Sequence, residues 1–154
     1  MAFSVELEEW VGSAWHRFIT RRASVDFPEA RVELLDQQRS LALLFRAMGG
    51  AGGIALEAAS ERDLLLRRNL LQQIAGTCRQ VPLAWCDPAH LRLPPSLAVF
   101  PEVALNQELY RWLALLAAQA GPMQHWGRDN QRWTLQLLQR FPALRGRYQR
   151  LVEA

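Results

Sequence analysis

The recurrence of apolar residues at intervals of three and four positions constrains the fold of this chain more than any other feature. That spacing places apolar side chains on one face of an α-helix, and it appears in six segments. The first segment begins at Ser4, a suitable N-cap, and ends near Arg22. Acids in its first turns and arginines in its last turns match the helix dipole, which favours a helix here. Its predicted apolar face consists of Leu7, Trp10, Val11, Ala14, Trp15, Phe18 and Ile19.

Five further helical segments begin or end at residues that commonly start or stop helices. The second starts at Pro28 and ends at Gly49 and Gly50. Its predicted apolar face consists of Val32, Leu35, Leu41, Leu44, Phe45 and Met48. The others run from Ser60 to Gln80, from Pro101 or Asn106 to Ala120, from Asp129 to Phe141, and onward from Pro142. Among the residues expected to be buried in the last three are Leu105, Leu109, Trp112, Leu113, Leu116, Trp133, Leu137, Leu138, Leu144, Tyr148, Leu151 and Val152.

The stretch between the third and fourth helices has a different character. Two short apolar runs, Val81 to Cys86 and Leu91 to Pro95, flank an Asp-Pro turn, which is typical of a hairpin. Together with Ile54 to Leu56 they predict a small antiparallel β element around residues 54–57 and 82–94. A chain of 154 residues without repeats or low-complexity linkers is expected to form one domain. The sequence therefore predicts a mainly α single domain with about five to six amphipathic helices.

No motif for catalysis, metal binding or cofactor binding is present. The glycine-rich loop at residues 49–53 follows a helix rather than a strand and lacks the Lys-Ser/Thr of a phosphate loop, so we expect a flexible connection. Metal-ligand spacing is absent among His16, His90, His125, Cys78 and Cys86. We therefore expect no cofactor and no enzymatic activity, with a hydrolase using Cys86 and His90 as an open alternative.

The N-terminal sequence and the hydropathy of the chain predict its compartment. The chain opens with acids rather than with the basic and apolar regions of a signal peptide. Its longest apolar stretch, Trp112 to Ala118, is far shorter than the roughly 20 residues of a membrane span. We expect a cytoplasmic protein with no membrane partner.

The positive charge is concentrated near the C-terminal end. All 18 basic residues are arginines, and the chain carries a net charge of +3. From residue 128 onward six arginines and two acids leave +4, while the preceding residues carry −1. Three interpretations stay open: a protein-docking face, a nucleic-acid surface in which Trp126, Trp133 and Tyr148 stack on bases, and a solvated face over an aromatic core.

A block from Leu91 to Ala118 carries a family resemblance. Its most specific features are Leu93-Pro94, Phe100-Pro101, Ala104-Leu105-Asn106, Leu109-Tyr110 and Trp112-Leu113-Ala114. The block resembles the N-terminal region of the NorD/CbbO family, and the resemblance extends over most of the chain. Within the block, Phe100, Leu105, Leu109, Trp112 and Leu113 are expected to be core residues rather than contact residues.

The resemblance implies an adaptor rather than an enzyme. In this family the N-terminal region precedes a von Willebrand factor A domain, and the protein is the adaptor of a hexameric MoxR-type AAA+ ATPase. CbbO-type members act with CbbQ to reactivate Rubisco, and NorD-type members assist nitric oxide reductase assembly. The chain lacks the Asp-x-Ser-x-Ser metal motif, so the A domain is expected to be absent from it.

From this resemblance we expect a non-catalytic N-terminal adaptor domain that docks on the ATPase hexamer, with no cofactor of its own. The CbbO type is preferred on the sequence up to Ala30, which makes Rubisco the expected client; the NorD type is the alternative. An arginine-rich domain that binds nucleic acid is a third and less favoured hypothesis. The residues expected to make protein contacts are Arg111, Arg132, Arg140, Arg145, Arg147 and Arg150.

Overall fold

A computed structural model describes residues 27–59, 85–86, 89–121 and 126–154. Four α-helices occur in these ranges: α1 (Leu34–Ala47), α2 (Val103–Gln119), α3 (Trp126–Arg140) and α4 (Arg145–Glu153). Five short strands accompany them: β1 (Val32–Glu33), β2 (Ala55–Ala58), β3 (Trp85–Cys86), β4 (His90–Leu93) and β5 (Ser96–Leu97). Two 3₁₀ turns, Pro28–Ala30 and Pro142–Leu144, precede β1 and α4. The predicted mainly helical class with a minor β element is therefore confirmed, while the helices predicted over residues 4–22 and 60–80 lie outside the described residues.

Helix α1 begins later than its apolar pattern predicts. Val32 belongs to β1, where it lies opposite Leu97 of β5 in a two-stranded antiparallel sheet that the sequence analysis did not identify. The backbone N–H of Leu34 donates to the carbonyl of Pro95 at 2.9 Å, which fixes the first residue of the helix. Leu34 then faces the core with Leu41 and Phe45, whereas Leu35 is 79% exposed. The assignment of Val32 and Leu35 to the apolar helix face was wrong, because the strand pairing sets the rotation of the helix.

The glycines after α1 form its C-terminal cap. Gly49 adopts a left-handed conformation with φ of 102°, which an L side chain rarely tolerates. Its N–H donates to the carbonyl of Arg46 at 3.1 Å, and the N–H of Gly50 donates to the carbonyl of Phe45 at 2.9 Å. This pair of bonds is the Schellman motif, which satisfies carbonyls that the last turn leaves free. The predicted helix stop at Gly49 and Gly50 is confirmed.

A three-stranded sheet has the order β2-β4-β3. Strands β3 and β4 pair antiparallel, as the predicted Asp-Pro hairpin requires. Strand β2 pairs parallel with β4, with Ala55 opposite His90 and Ala58 opposite Leu93, rather than antiparallel as the sequence suggested. Residues 59–89 separate the two strands, and a connection of that length is what a parallel crossover needs.

Helix α2 lies at the centre of the core, with α1, α3, α4 and the sheet packed around it. Its buried side chains include Leu109, Tyr110, Trp112, Leu113 and Leu116. The other helices contribute Leu34, Leu41, Phe45, Trp133, Leu137, Leu138, Tyr148, Leu151 and Val152, and the sheet contributes Leu56, Leu91 and Leu93. These positions agree with the predicted helical faces of α2 to α4, although α3 begins three residues before its predicted cap, Asp129. Among the described residues, none of the helices has the length and hydrophobicity needed to cross a bilayer.

Candidate protein-interaction face

The family-like block from Leu91 to Ala118 is held together by a buried asparagine. Asn106 has no exposed surface, and its Oδ1 accepts hydrogen bonds from the N–H groups of Val99 at 2.9 Å and Phe100 at 3.0 Å. Its Nδ2 donates to the carbonyls of Ala30 at 2.8 Å, Phe100 at 2.9 Å and Glu102 at 3.3 Å. One side chain thereby ties the first turn of α2 to the preceding loop and to the first 3₁₀ turn.

Tyr110 holds the stretch before α2 at a second point, at Pro94. Its hydroxyl donates to the carbonyl of Pro94 at 2.8 Å, and the side chain is fully buried. Burial, with a smaller contribution from the nearby Glu33 carboxylate, raises the pKa of Tyr110 well above its ordinary value. The phenol therefore stays protonated and keeps donating throughout the neutral range. The residues that carry the family resemblance therefore have structural roles. Phe100, Leu109, Trp112 and Leu113 are buried in the core as expected, while Leu105 is only partly buried.

An aromatic contact joins α2 to α4 beneath the arginines. The ring centroids of Trp112 and Tyr148 lie 4.7 Å apart at an interplanar angle of 36°. Burial raises the pKa of Tyr148 well above its ordinary value. Among the described residues, no hydrogen-bond partner is found for the buried Trp112 Nε1 or Thr134 Oγ1. Trp133 and Tyr148 are therefore core residues, which removes them as candidates for stacking on nucleic-acid bases.

Glu108 brings two of the predicted contact arginines together. Its Oε2 accepts from Arg111 Nη1 at 3.0 Å, and its Oε1 accepts from Arg147 Nη1 at 3.3 Å. The Glu108 side chain is 15% exposed, whereas the side chains of Arg111 and Arg147 are 41% and 50% exposed. Because one partly buried carboxylate holds both guanidinium groups, this trio carries a net positive charge at the surface between α2 and α4.

Arg140, the last residue of α3, contacts the last residue of α2. Its Nη1 donates to Gln119 Oε1 at 3.3 Å, and its guanidinium carbon lies 5.3 Å from the ring centroid of Phe141. Gln119 in turn donates through Nε2 to the carbonyl of Met48 at 2.9 Å. Arg111 and Gln119 are eight positions apart on α2, which corresponds to about 12 Å along the helix axis.

The remaining predicted contact residues are exposed on α3 and α4. Arg132 lies 3.6 Å from the buried Asp129 carboxylate, one turn earlier on α3, and Arg145 and Arg150 are exposed on α4. The structure thus groups Arg111 with Arg147 through a shared acid and places Arg140 beside Gln119. No hydrogen bond or ion pair connects Arg132 to either group in the described part of the chain. The name arginine face denotes the set of these six arginines on α2, α3 and α4, all exposed or partly exposed: Arg111, Arg132, Arg140, Arg145, Arg147 and Arg150.

The sequence reasoning missed Glu108 and Gln119, which position these arginines. Glu108 stands one turn before Arg111, a spacing that favours an ion pair on a helix, so a local signal was present. The partnerships of Glu108 with Arg147 and of Gln119 with Arg140 cross between helices and had no such signal.

The histidine and cysteine candidates form no reactive cluster in the described residues. His90 Nε2 lies 3.6 Å from Glu57 Oε1 across the sheet, and both side chains are partly exposed. Within the described ranges no group of three or more metal-ligating side chains is found. His16, His125, Cys78 and the side chain of Cys86 lie outside what the structure describes. The Cys86–His90 hydrolase hypothesis therefore gains no geometric support.

Comparisons with known proteins identify relatives over the whole chain. The protein named NorD from Stutzerimonas stutzeri is 75% identical over 154 residues, which are 100% of this chain and 25% of that protein. An uncharacterized protein of Pseudomonas aeruginosa is 64% identical over the same span. NorD from Brucella abortus is 34% identical over 163 aligned residues, covering 97% of this chain and 26% of that protein. The chain thus spans about a quarter of the length of the curated relatives it matches, and neither a family model nor a solved structure matches it.

Proposed function

We propose that this chain is a non-catalytic docking domain of a NorD-type adaptor. It is similar to about a quarter of the length of each NorD protein that it matches. The observation that carries the proposal is whole-chain similarity to two NorD proteins at 75% and 34% identity. Their names favour the NorD type, which was the alternative, over the CbbO type that the sequence analysis preferred. The Rubisco client that followed from the CbbO preference has no support among these relatives.

The partner of the proposed domain is a MoxR-type AAA+ ATPase hexamer, and its client is nitric oxide reductase. Both follow from the family resemblance of the Leu91 to Ala118 block rather than from any contact in the structure. An adaptor domain of this kind uses a surface and needs no cofactor, which fits a chain whose recognisable motifs are structural.

The arginine face is the surface that we assign to docking. Arginine is enriched at the energetic centres of protein interfaces because its planar guanidinium makes several directed hydrogen bonds and covers apolar area. Here the arginines stand on helices whose opposite faces are buried in one core, so they are presented with little backbone freedom. Glu108 further orders Arg111 and Arg147, which lowers the entropy that binding would otherwise cost. This face suits an acidic patch on the ATPase.

Charge reversal at Arg145 tests the proposal directly. Arg145 is the first residue of α4, where an acid is favourable for the helix dipole, so we expect Arg145→Glu to leave the fold intact. We expect the variant to bind a purified MoxR-type ATPase hexamer about tenfold or more weakly, as measured by interferometry on the immobilised chain. Arg39→Glu is the matched control, since it makes the same charge change on α1 at an exposed site outside the arginine face.

Three outcomes would contradict the proposal in different ways. Failure of the unaltered chain to bind the hexamer would refute docking on the ATPase. Equal losses of affinity for Arg145→Glu and Arg39→Glu would refute the assignment of docking to the arginine face. Binding to DNA or RNA with a steep dependence on salt, without binding to the ATPase, would favour the nucleic-acid hypothesis instead.

A further inference from the structure

The two arginines that share Glu108 extend from a rigid contact between α2 and α4. Arg111 is followed on α2 by the buried Trp112. Arg147 is followed on α4 by the buried Tyr148, and the centroids of the two rings lie 4.7 Å apart. The close packing of these rings therefore holds the backbone positions of the two arginines at a constant separation.

Glu108 is the acid that pairs with both of these arginines in the described part of the chain. The acid of α4, Glu153, accepts a hydrogen bond from Gln149 instead. Each guanidinium group donates to Glu108 through Nη1 alone. Because a guanidinium has five N–H donors, most of the donors on both groups are not used by any described residue.

The two guanidinium groups are close enough to bind a single structural element of a partner. Their Nη1 atoms lie 3.0 and 3.3 Å from the two oxygens of one carboxylate, so they are no more than about 9 Å apart. Side chains three or four residues apart on a helix start from Cβ atoms about 5–6 Å apart. A guanidinium also binds a carboxylate through two parallel N–H bonds, which a lysine ammonium does not form. Two acids one turn apart on a partner helix therefore match the two arginines.

The surroundings of the two arginines favour a protein partner over a nucleic acid. Single-stranded nucleic acids are bound where bases stack on exposed aromatic rings beside basic residues. The rings of Trp112, Trp133 and Tyr148 are buried and offer no such platform. Glu108 also reduces the formal charge of the trio to +1, which is little for a surface that must neutralise several phosphates.

We propose that Arg111, Arg147 and Glu108 form an arginine clamp for an acidic helical turn of the docking partner. In this clamp two carboxylates three or four residues apart on the partner each pair with one arginine. Glu108 is a positioning residue, because it holds both guanidinium groups in place although its own charge repels the acids of the partner. The inference rests on the proposed docking function and names the two arginines of the arginine face that act together.

Binding to the purified MoxR-type ATPase hexamer tests the role of Glu108. Glu108→Gln preserves the shape of the side chain and raises the net charge of the chain by one, but it removes the charge that pairs with both arginines. We expect this variant to bind about fivefold or more weakly, although simple attraction to an acidic partner would strengthen binding. Its melting temperature should stay within about 2 °C, since partly exposed ion pairs contribute little to stability.

Glu102→Gln is the matched control, because it makes the same charge change at an exposed residue just before α2. This control should bind at least as tightly as the unaltered chain. Equal or tighter binding by Glu108→Gln would overturn the clamp. Failure of the unaltered chain to bind the hexamer would refute the proposed function instead.

Charge-preserving substitutions test the arginines without relying on Glu108. Arg111→Lys and Arg147→Lys keep the positive charge but lose the planar group that binds a carboxylate through two bonds. We expect each to weaken binding to the hexamer about threefold or more. In the chain that carries both lysines, Glu108→Gln should no longer weaken binding. Arg150→Lys, at an exposed site on α4, is the control, and losses equal to its own would overturn the clamp.

A helical peptide tests the chemistry of the partner without the ATPase. An alanine-rich peptide with glutamates at positions i and i+4 is titrated into the isotope-labelled full chain, and a peptide with glutamates at i and i+2, on different helix faces, is the control. We expect the Nε–H signals of Arg111 and Arg147 to shift with a Kd at least about threefold lower for the first peptide. Equal Kd values, or shifts that appear only with DNA or RNA, would overturn the clamp whether or not the chain binds the ATPase.

Discussion

Replacing Asn106 by alanine should destabilise the fold more than its size suggests. The side chain has no exposed surface, accepts from two backbone N–H groups and donates to three carbonyls in three neighbouring segments. In Asn106→Ala the N–H groups of Val99 and Phe100 lose this acceptor. A buried donor left without a partner costs about 1–3 kcal/mol. Val99 is only partly buried, so its N–H can donate to water and its contribution to this cost is smaller.

We therefore expect Asn106→Ala to lower the free energy of unfolding by about 2–4 kcal/mol. For a chain of this length that corresponds to a fall in melting temperature of about 5–15 °C. Urea unfolding followed by circular dichroism at 222 nm and by tryptophan fluorescence measures the change. Gln107→Ala is the matched control, because it removes a neighbouring and half-buried amide from the same helix and should cost under about 1 kcal/mol.

Asn106→Asp separates hydrogen bonding from cavity formation. The aspartate preserves the shape and both acceptor contacts, but it places a buried negative charge against the carbonyls of Ala30, Phe100 and Glu102. At pH 7 it should destabilise at least as much as alanine does. If Asn106→Ala cost no more than Gln107→Ala, the inference that this amide holds the loop to α2 would be wrong.

Two further predictions concern the glycine cap and the buried tyrosines. Gly50→Ala should cost about 1–3 kcal/mol, because the new Cβ would overlap the ring of the buried Phe45. Gly52→Ala, with open space around it, should cost under about 1 kcal/mol, and equal costs in thermal melts would contradict this. Because the pKa values of Tyr110 and Tyr148 are raised in the folded state, the unfolded state loses these protons first as the pH rises. The free energy of unfolding is therefore unaffected below about pH 10. Above that pH it falls by up to about 1.4 kcal/mol per pH unit for each tyrosine. The chain contains no lysine that would titrate in the same range. Tyr148→Phe should reduce the decrease of the free energy of unfolding with pH, measured by urea unfolding between about pH 9 and 11. An unchanged pH dependence would refute this prediction.

The helical faces of α2, α3 and α4 were predictable because each depends on residues close together in the sequence. Leu109, Leu113 and Leu116 are separated by four and three positions, and burial of that face is sufficient to define a helix. The glycine stop after α1 was equally local, since a left-handed residue ends a helix whatever the surrounding fold.

The errors in the sequence analysis arose where pairing between distant segments decided the structure. Val32 was assigned to a helix because its spacing fits one, but its backbone pairs with β5, some 65 residues away in sequence. Likewise β2 runs parallel to β4, and the composition of two strands does not determine whether they pair parallel or antiparallel.

In the candidate site, too, some features follow from nearby residues and others depend on contacts between distant segments. The sequence by itself determined that arginines and aromatic residues share the C-terminal end, and its similarity to NorD proteins follows from the residues alone. Only the tertiary structure decided that Trp133 and Tyr148 are core while the arginines are exposed, and that Glu108 joins Arg111 to Arg147. The physical reason is that burial and contacts between helices depend on packing in three dimensions, whereas helical periodicity and capping depend only on neighbouring residues.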